Sequence, residues 1–140
     1  LKLIGDGTLA IFDAADAARG CAMALAAETA LRARLPALAK EHGERGLPVT
    51  TPYIGLHIGD VFYGNVGSRD RLDFTVVGPA VNEASRVAAM CRSAERDLLM
   101  SEAFCAAASQ EDRRRFVSVG RYALRGVERS QELFTVDTCL

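Results

Sequence analysis

The most constraining part of this chain is a strand-like run, Arg71 to Val77, that ends at Gly78-Pro79 and leads into a helical segment carrying Asn82 and Arg86. Pro79 fits the first turn of a helix, where a missing N–H costs little. Residues four apart on a helix project the same way. An amide and a guanidinium near a helix N-terminus can donate several hydrogen bonds to a phosphate. A solvated arginine beside a capping asparagine explains these two residues alone equally well.

The N-terminal residues 2–12 contain two short apolar runs joined by Gly5-Asp6-Gly7. Asp-Gly is a strong hairpin signal, so we predict a hairpin with Asp6 at its tip. An acid flanked by glycines can approach a metal-bound phosphate without side-chain obstruction. Asp6 could equally serve as a turn residue only.

Six motifs follow one another along nearly the whole chain. They are Lys2-x-x-Gly-Asp-Gly7, Gly55-Leu-His-Ile-Gly59, Gly64-Asn-Val-Gly67, Arg71-x-Asp-Phe-Thr75, Gly78-x-Ala-Val-Asn-x-Ala-Ser-Arg86 and Leu124-Arg-Gly126. In order and spacing they resemble the catalytic domain of the class III adenylate and guanylate cyclases. The resemblance implies a ferredoxin-like α+β fold, with a mostly antiparallel sheet and helices packed mainly on one face.

The resemblance also implies that this is one domain, residues 1–140, that lacks its beginning. Family members start with a strand and a helix that carry the first metal-binding aspartate, and nothing before Leu1 supplies this motif. We therefore expect an N-terminally truncated catalytic domain that is inactive by itself, whereas its parent protein converts ATP into 3′,5′-cyclic AMP and pyrophosphate.

The resemblance assigns a role to each candidate site residue. Asp6 would be the second of two carboxylates that bind two Mg²⁺ or Mn²⁺ ions. Asn82 would orient the ribose, and Arg86 would stabilise the transition state. Arg125 aligns with a family lysine near the terminal phosphates, although it could equally be a surface residue of a strand. Family members share their active sites across a homodimer, so that Asp6 would serve one site and Lys2 the other.

Lys2 and Thr75 match the positions at which the family reads the base. An ammonium can donate to adenine N1 and a hydroxyl can accept from the 6-amino group, whereas guanine reverses both demands. Guanylate cyclases tend to carry Glu and a small thiol or hydroxyl residue there. The pair resembles the Lys/Thr subset of adenylate cyclases, which includes bicarbonate-responsive enzymes, so we predict ATP as substrate. The alternatives are a guanylate cyclase and a silent cyclase-homology domain that dimerises or binds nucleotide.

Net charge, the longest apolar stretch and the cysteine spacing argue against several other kinds of protein. A net charge of −1 gives no general field for nucleic acid. The longest apolar stretch, 22–27, is too short to span a bilayer, so we expect a cytoplasmic domain, whose parent could be membrane-anchored and carry regulatory domains. The four cysteines are widely spaced, which favours reduced thiols over a zinc site or disulfides, with Cys21 and Cys105 in the core.

Periodicity predicts the order ββ, α, ββ, α, β, α, ββ. The expected helices cover 14–40, with a kink or an end near Pro36, and 79–92, together with a short helix capped by Ser101. Strands are expected over 53–58, over 97–100 and within 116–136, and a loop over 64–70. His57 is expected to be packed or interfacial and not a catalytic base. Val81, Ala84, Ser85, Ala88 and Ala89 are expected to face inward. We expect one sheet that places the Asp6 tip beside the strand ending at Val77.

Overall fold

The computed structural model describes residues 1–13, 15–68, 71–124 and 129–137, with Ile4, 65–68 and 71–75 described through their backbone only. These parts of the chain form an α+β fold, which confirms the predicted class. The elements are β1 (Lys2–Ile4), β2 (Gly7–Leu9), α1 (Ala17–Glu44), β3 (Ile54–Leu56), β4 (Phe62–Ser68), β5 (Arg71–Val77), α2 (Pro79–Met90), β6 (Leu98–Ser101), α3 (Glu102–Ala107), α4 (Gln110–Arg113), β7 (Phe116–Tyr122) and β8 (Gln131–Val136).

Strand pairing is mostly antiparallel, as expected. The largest sheet among the described residues has the order β3-β6-β8-β7, in which only β3 and β6 run parallel. The pairs β1–β2 and β4–β5 form separate antiparallel hairpins. The helix α2 connects β5 to β6 and therefore joins the second hairpin to the largest sheet.

The prediction of one sheet that brings Asp6 beside Val77 is wrong for the part of the chain that the structure describes. Asp6 lies between β1 and β2, whereas Val77 ends β5, and the two hairpins belong to different sheets. The strands of the first hairpin are three residues long and pair with each other. Local turn chemistry is sufficient to form such a hairpin, but it does not determine which larger sheet the hairpin joins.

The loop expected over 64–70 is also corrected, because residues 64–68 continue strand β4. The register runs without interruption from Phe62 opposite Val77 to Ser68 opposite Arg71. Glycines weaken a strand, but pairing along the whole length of β5 satisfies the backbone of this segment. Gly64-Asn-Val-Gly67 is therefore part of a paired strand and not the predicted loop.

Helix α1 is longer than predicted and continues past Pro36 to Glu44. It begins at Asp16, whose carboxylate accepts a hydrogen bond from the Ala18 amide at 3.2 Å. Only its first half reaches the core, through Cys21, Ala24 and Leu25. Leu31 and Leu38 are 41% and 47% exposed, so the second half of α1 does not form a buried face.

The described core consists of two clusters on the largest sheet. One joins α1 and α3 to β6 and contains Cys21, Met100, Phe104 and Cys105, which confirms the predicted burial of the two cysteines. The other joins α2 to the sheet and contains Val87, Cys91, Leu99, Leu124 and Leu133. Of the helices that the structure describes, none combines the length and the apolar character needed to cross a membrane.

Candidate active site

The turn from β5 into α2 requires the glycine at position 78. Gly78 has φ +150°, which L side chains rarely adopt, and a Cβ atom there would lie 3.0 Å from the carbonyl oxygen of Asp60. Pro79 takes the first position of the helix, as predicted, and the Val81 amide donates to the Gly78 carbonyl at 3.2 Å. The helix therefore starts at a fixed point directly after the strand that contains Thr75.

Helix α2 presents Asn82 and Arg86 away from its buried face. Ala80 and Val87 are buried, whereas Asn82 is exposed and Arg86 is half-buried. With 3.6 residues per turn, Asn82 and Arg86 share one side of the helix, roughly opposite the buried row. The predicted inward positions of Ser85 and Ala89 are wrong, because both are exposed. The face that packs on the sheet is rotated by about one residue from the predicted one.

Strand β3 holds α2 in direct backbone contact. A Cβ atom at Gly55 would lie 2.6 Å from the carbonyl oxygen of Ala84 and 2.9 Å from the Cα of Ala88. At Gly59 an added Cβ would lie 2.9 Å from the Cβ of Ala80. These distances leave no room for a side chain, so the two glycines allow α2 to rest on the backbone of β3 and of the turn that follows it.

His57 lies between these glycines and contacts two helices. Its Nδ1 atom is 2.8 Å from the Ser101 hydroxyl, and its Nε2 atom is 3.8 Å from a carboxylate oxygen of Glu83. Burial lowers the pKa of His57, and the nearby Glu83 carboxylate opposes part of this effect. The predicted packed histidine is confirmed, but both of its partners were missed. The glycines on either side of His57 were the available signal, since they indicate a close approach of another backbone.

Asp6 is an exposed carboxylate at the tip of the predicted hairpin. Ile4 pairs with Gly7, so the turn residues are Gly5 and Asp6, and the positive φ of +60° falls on Gly5. This is the arrangement of a type II′ turn, whereas the sequence had suggested Asp-Gly as the turn dipeptide. Nothing lies within 4 Å of a Cβ placed on Gly5, which leaves the carboxylate approachable.

The residues present fit one half of a two-metal site. Asp6 offers the carboxylate oxygens that Mg²⁺ and Mn²⁺ prefer. Over the described ranges, no three His, Cys, Asp or Glu side chains cluster closely enough to hold a metal ion by themselves. Further ligands would have to come from a residue outside these ranges, from another segment or chain, or from the nucleotide.

The structure brings some of the predicted site residues together and not others. The backbone of Thr75 lies opposite Gly64 in the β4–β5 hairpin, a few residues before Asn82 and Arg86, but its side chain is outside the described part. Lys2 pairs with Leu9 in the separate first hairpin, next to Asp6. Arg125 lies outside the described residues. The roles of all these residues in substrate binding stay predictions.

The chain is similar in sequence to one known domain family and to several known proteins. The Adenylate and Guanylate cyclase catalytic domain matches residues 1–138. The uncharacterized protein Rv1318c of Mycobacterium tuberculosis is 39% identical over 128 residues, which cover 89% of this chain and 22% of that protein. An adenylate cyclase of Anabaena cylindrica is 37% identical over 103 residues, or 72% of this chain and 20% of that protein. The chain spans about a fifth of the length of these relatives.

The fold is similar to that of a solved cyclase. The adenylyl cyclase CyaB from P. aeruginosa superposes with a TM-score of 0.72 at 23% identity, over 89% of this chain and 62% of that one. The ferredoxin-like cyclase fold implied by the motifs is therefore confirmed. Domains of this kind act as dimers on nucleotides and generally use divalent metal ions. With the family match over residues 1–138, this chain belongs to the adenylate and guanylate cyclase catalytic domain family.

Proposed function

We propose that the protein containing this chain is an adenylate cyclase that converts ATP into 3′,5′-cyclic AMP and pyrophosphate. The observation that carries the proposal is the face of α2 formed by Asn82 and Arg86, which directly follows β5 and faces away from the core. The similarity to the Anabaena adenylate cyclase supports the same activity. A cyclase-homology domain without activity would have little use for this exposed amide and guanidinium.

The reaction is an in-line displacement at the α-phosphorus. The ribose 3′-oxygen forms a bond to this phosphorus while the bond to the oxygen that bridges the α- and β-phosphates breaks and pyrophosphate leaves. The proton of the 3′-hydroxyl passes to solvent water. Arg86 would donate hydrogen bonds to the α-phosphate oxygens, where charge accumulates in the transition state. Asn82 would hold the ribose so that the 3′-oxygen stays in line with the leaving group.

Asp6 would bind divalent ions at the triphosphate. When bound, Mg²⁺ or Mn²⁺ lowers the pKa of the 3′-hydroxyl and neutralises phosphate charge. The glycines beside Asp6 leave its carboxylate accessible for this role. A second carboxylate would complete the two-metal site. We propose that residues 1–140 form a single catalytic domain.

We propose a homodimer with shared active sites. By resemblance to the family, Asp6 of one chain would form a site with Lys2, Asn82 and Arg86 of the other chain. The base would be read by Lys2, donating to adenine N1, and by Thr75, accepting from the 6-amino group. Arg125 would bind the terminal phosphates. The rest of the protein would carry regulatory domains, with this domain in the cytoplasm whether or not a membrane anchor is present.

The proposal is tested by supplying the full-length protein with Mg-ATP or Mn-ATP and measuring cyclic AMP. We expect product from the wild type and a loss of turnover of about a hundredfold or more in Arg86→Ala, with a smaller change in KM. The matched control is Arg92→Ala, which removes an exposed arginine just beyond the same helix.

Two results would replace this function with another. Binding of ATP without cyclic AMP formation, with either metal, would identify a silent nucleotide-binding or dimerisation domain. Cyclic GMP formation from GTP in preference to cyclic AMP formation would identify a guanylate cyclase. Equal losses in Arg86→Ala and Arg92→Ala would remove Arg86 from the active site.

A further inference from the structure

One buried imidazole joins three elements around the face that carries Asn82 and Arg86. His57 follows β3, and its side chain is 7% exposed. Its Nδ1 atom contacts the hydroxyl of Ser101 at the start of α3, at 2.8 Å. Its Nε2 atom lies 3.8 Å from the carboxylate of Glu83 on α2.

The two neighbours of the ring, the Ser101 hydroxyl and the acceptor-only Glu83 carboxylate, favour one tautomer. The Ser101 hydroxyl oxygen accepts from the Phe104 amide at 3.1 Å and thereby caps α3. Its proton remains available for donation to Nδ1 of His57. Nε2 then carries the hydrogen and presents it on the side of Glu83, whose carboxylate is an acceptor. The hydrogen bonds thus run from the Phe104 amide through Ser101 to His57, and the 3.8 Å approach of Nε2 to Glu83 is a longer, electrostatic contact.

Glu83 connects the His57 cluster to the part of α2 that carries Asn82 and Arg86. Glu83 is adjacent to Asn82 and three residues before Arg86, at the border between the buried and the exposed face of α2. The contacts of Gly55 and Gly59 with α2 determine how closely the helix approaches the sheet. They involve only backbone and alanine methyl groups, so they resist sliding or rotation of the helix weakly. The His57 ring lies 3.8 Å from the Glu83 carboxylate and adds an electrostatic side-chain contact that opposes both movements.

We propose that His57 is a positioning residue for α2, which it links through Glu83 to the capped N-terminus of α3. The link fixes the rotation of α2 and hence the placement of Asn82 and Arg86. The expected effect on turnover rests on the proposed function, whereas the mechanical link does not.

A hydrolase-like triad does not explain the same geometry. Ser101, His57 and Glu83 have the residue types of a nucleophile, a base and an acid. The Ser101 side chain is fully buried, at 0% exposure, and its oxygen already accepts a hydrogen bond from the α3 backbone. A substrate carbonyl has no access to this hydroxyl, which leaves positioning as the function of the cluster.

Hydrogen–deuterium exchange of the full-length protein tests the link without any assay of activity. In Glu83→Ala, which leaves the core side chains in place, we expect amides of the peptide covering Pro79–Met90 to exchange about tenfold faster than in the wild type. His57→Ala should accelerate exchange in both α2 and α3. Glu83→Gln keeps an acceptor beside Nε2 and should restore protection of α2.

The matched control is Ser109→Ala. Ser109 caps α4 as Ser101 caps α3, accepting from the Asp112 amide at 3.1 Å, but it does not belong to the His57 cluster. This variant should leave exchange of α2 unchanged. Wild-type protection of α2 in both Glu83→Ala and His57→Ala would overturn the proposal.

Turnover provides the second test. If α2 is misplaced, kcat of Glu83→Ala should fall by about tenfold to a hundredfold with little change in KM, and Glu83→Gln should recover most of it. Faster exchange with unchanged kcat would overturn the claim that the link positions Asn82 and Arg86. If the wild-type protein makes no cyclic nucleotide, the proposed function fails, and exchange of α2 alone then decides whether the link exists.

Discussion

Gly55 of β3 lies so close to Ala84 of α2 that a Cβ atom at position 55 would be 2.6 Å from the Ala84 carbonyl oxygen. The neighbours at this position are backbone atoms, which cannot move aside as the end of a flexible side chain could. The helix that carries Asn82 and Arg86 is therefore seated directly on the strand. Any residue other than glycine at position 55 has to displace that helix.

Gly55→Ala is expected to lower the free energy of unfolding by about 1–3 kcal/mol, the usual cost of overpacking a close contact. Turnover should fall as well, because relief of the clash moves α2. The measurement is urea unfolding together with kcat. Gly43→Ala is the matched control: position 43 lies in α1 with nothing within 4 Å of an added Cβ, so the change should stabilise the helix by up to about 1 kcal/mol. Equal effects at the two positions would contradict the close contact.

His57 should make stability depend on pH. Burial lowers its pKa below the ordinary 6.5, and Glu83 is the charged group that faces the ring. Between the folded pKa and 6.5 the unfolded chain binds a proton that the folded chain does not, so stability decreases as the pH falls through this window. The free energy of unfolding should therefore decrease more steeply in the wild type than in His57→Gln from about pH 7 to about pH 5, by at most about 1.4 kcal/mol per pH unit.

If the free energy of unfolding changed with pH equally in the wild type and in His57→Gln over this range, the lowered pKa of His57 would be contradicted. Glu83→Gln separates the effect of burial on the pKa of His57 from the effect of Glu83. It removes the carboxylate that favours the protonated ring and leaves the burial intact. The folded pKa of His57 should then be lower still, and the loss of stability on acidification should extend to lower pH.

The buried thiols should react slowly in the native state. Burial raises the pKa of Cys91 to about 11 and that of Cys105 to about 12, and it raises the pKa of Cys21 as well. The reactive thiolate is therefore scarce near neutral pH, and access is blocked. In a Cys139→Ser background, we expect thiol reagents to modify these three positions on the order of a hundredfold more slowly than in denaturant. Rapid modification of Cys21 or Cys105 in the native protein would show that the core around α1 and α3 opens, and rapid modification of Cys91 would show the same for the core beneath α2.

Local chemistry predicted the parts of the fold that depend on neighbours in sequence. The helix after Gly78-Pro79, the hairpin at Asp6 and the Ser101 cap each depend on residues within a few positions of one another. Pairing between distant segments was not predicted in the same way. The glycine-rich residues 64–67 were interpreted as a loop, because their strand conformation is imposed by β5 and not by their own preference.

In the candidate site, too, features set by nearby residues were predicted and contacts between distant residues were missed. The spacing of Asn82 and Arg86 was sufficient to place them on one helix face. The contacts of His57 with Ser101 and Glu83 bridge residues that are far apart in sequence, and neither partner stands out by residue type. The rotation of α2 was predicted about one residue off, since its alanine-rich sequence offers several rows of small residues that could face the sheet. The row that packs is determined by contacts with residues distant in sequence, among them Gly55 and Gly59.

Base specificity is expected to depend on Lys2 and Thr75. The double change Lys2→Glu and Thr75→Cys offers an acceptor to guanine N1–H and removes the ammonium that opposes it. The ratio of cyclic GMP to cyclic AMP formed by the full-length protein from GTP and ATP should therefore rise. A complete conversion is not expected, because rejection of the wrong base also depends on the shape of the pocket.

Lys40→Glu is the control for the reversed charge, because Lys40 is an exposed residue of α1 whose side chain is 80% accessible. It should leave the product ratio unchanged. If the double variant folds as the wild type does and also leaves the ratio unchanged, Lys2 and Thr75 do not read the base. The preference for ATP would then lose its main chemical support. The proposed roles of Asn82 and Arg86, which concern ribose and phosphate in either substrate, would stand on their own tests.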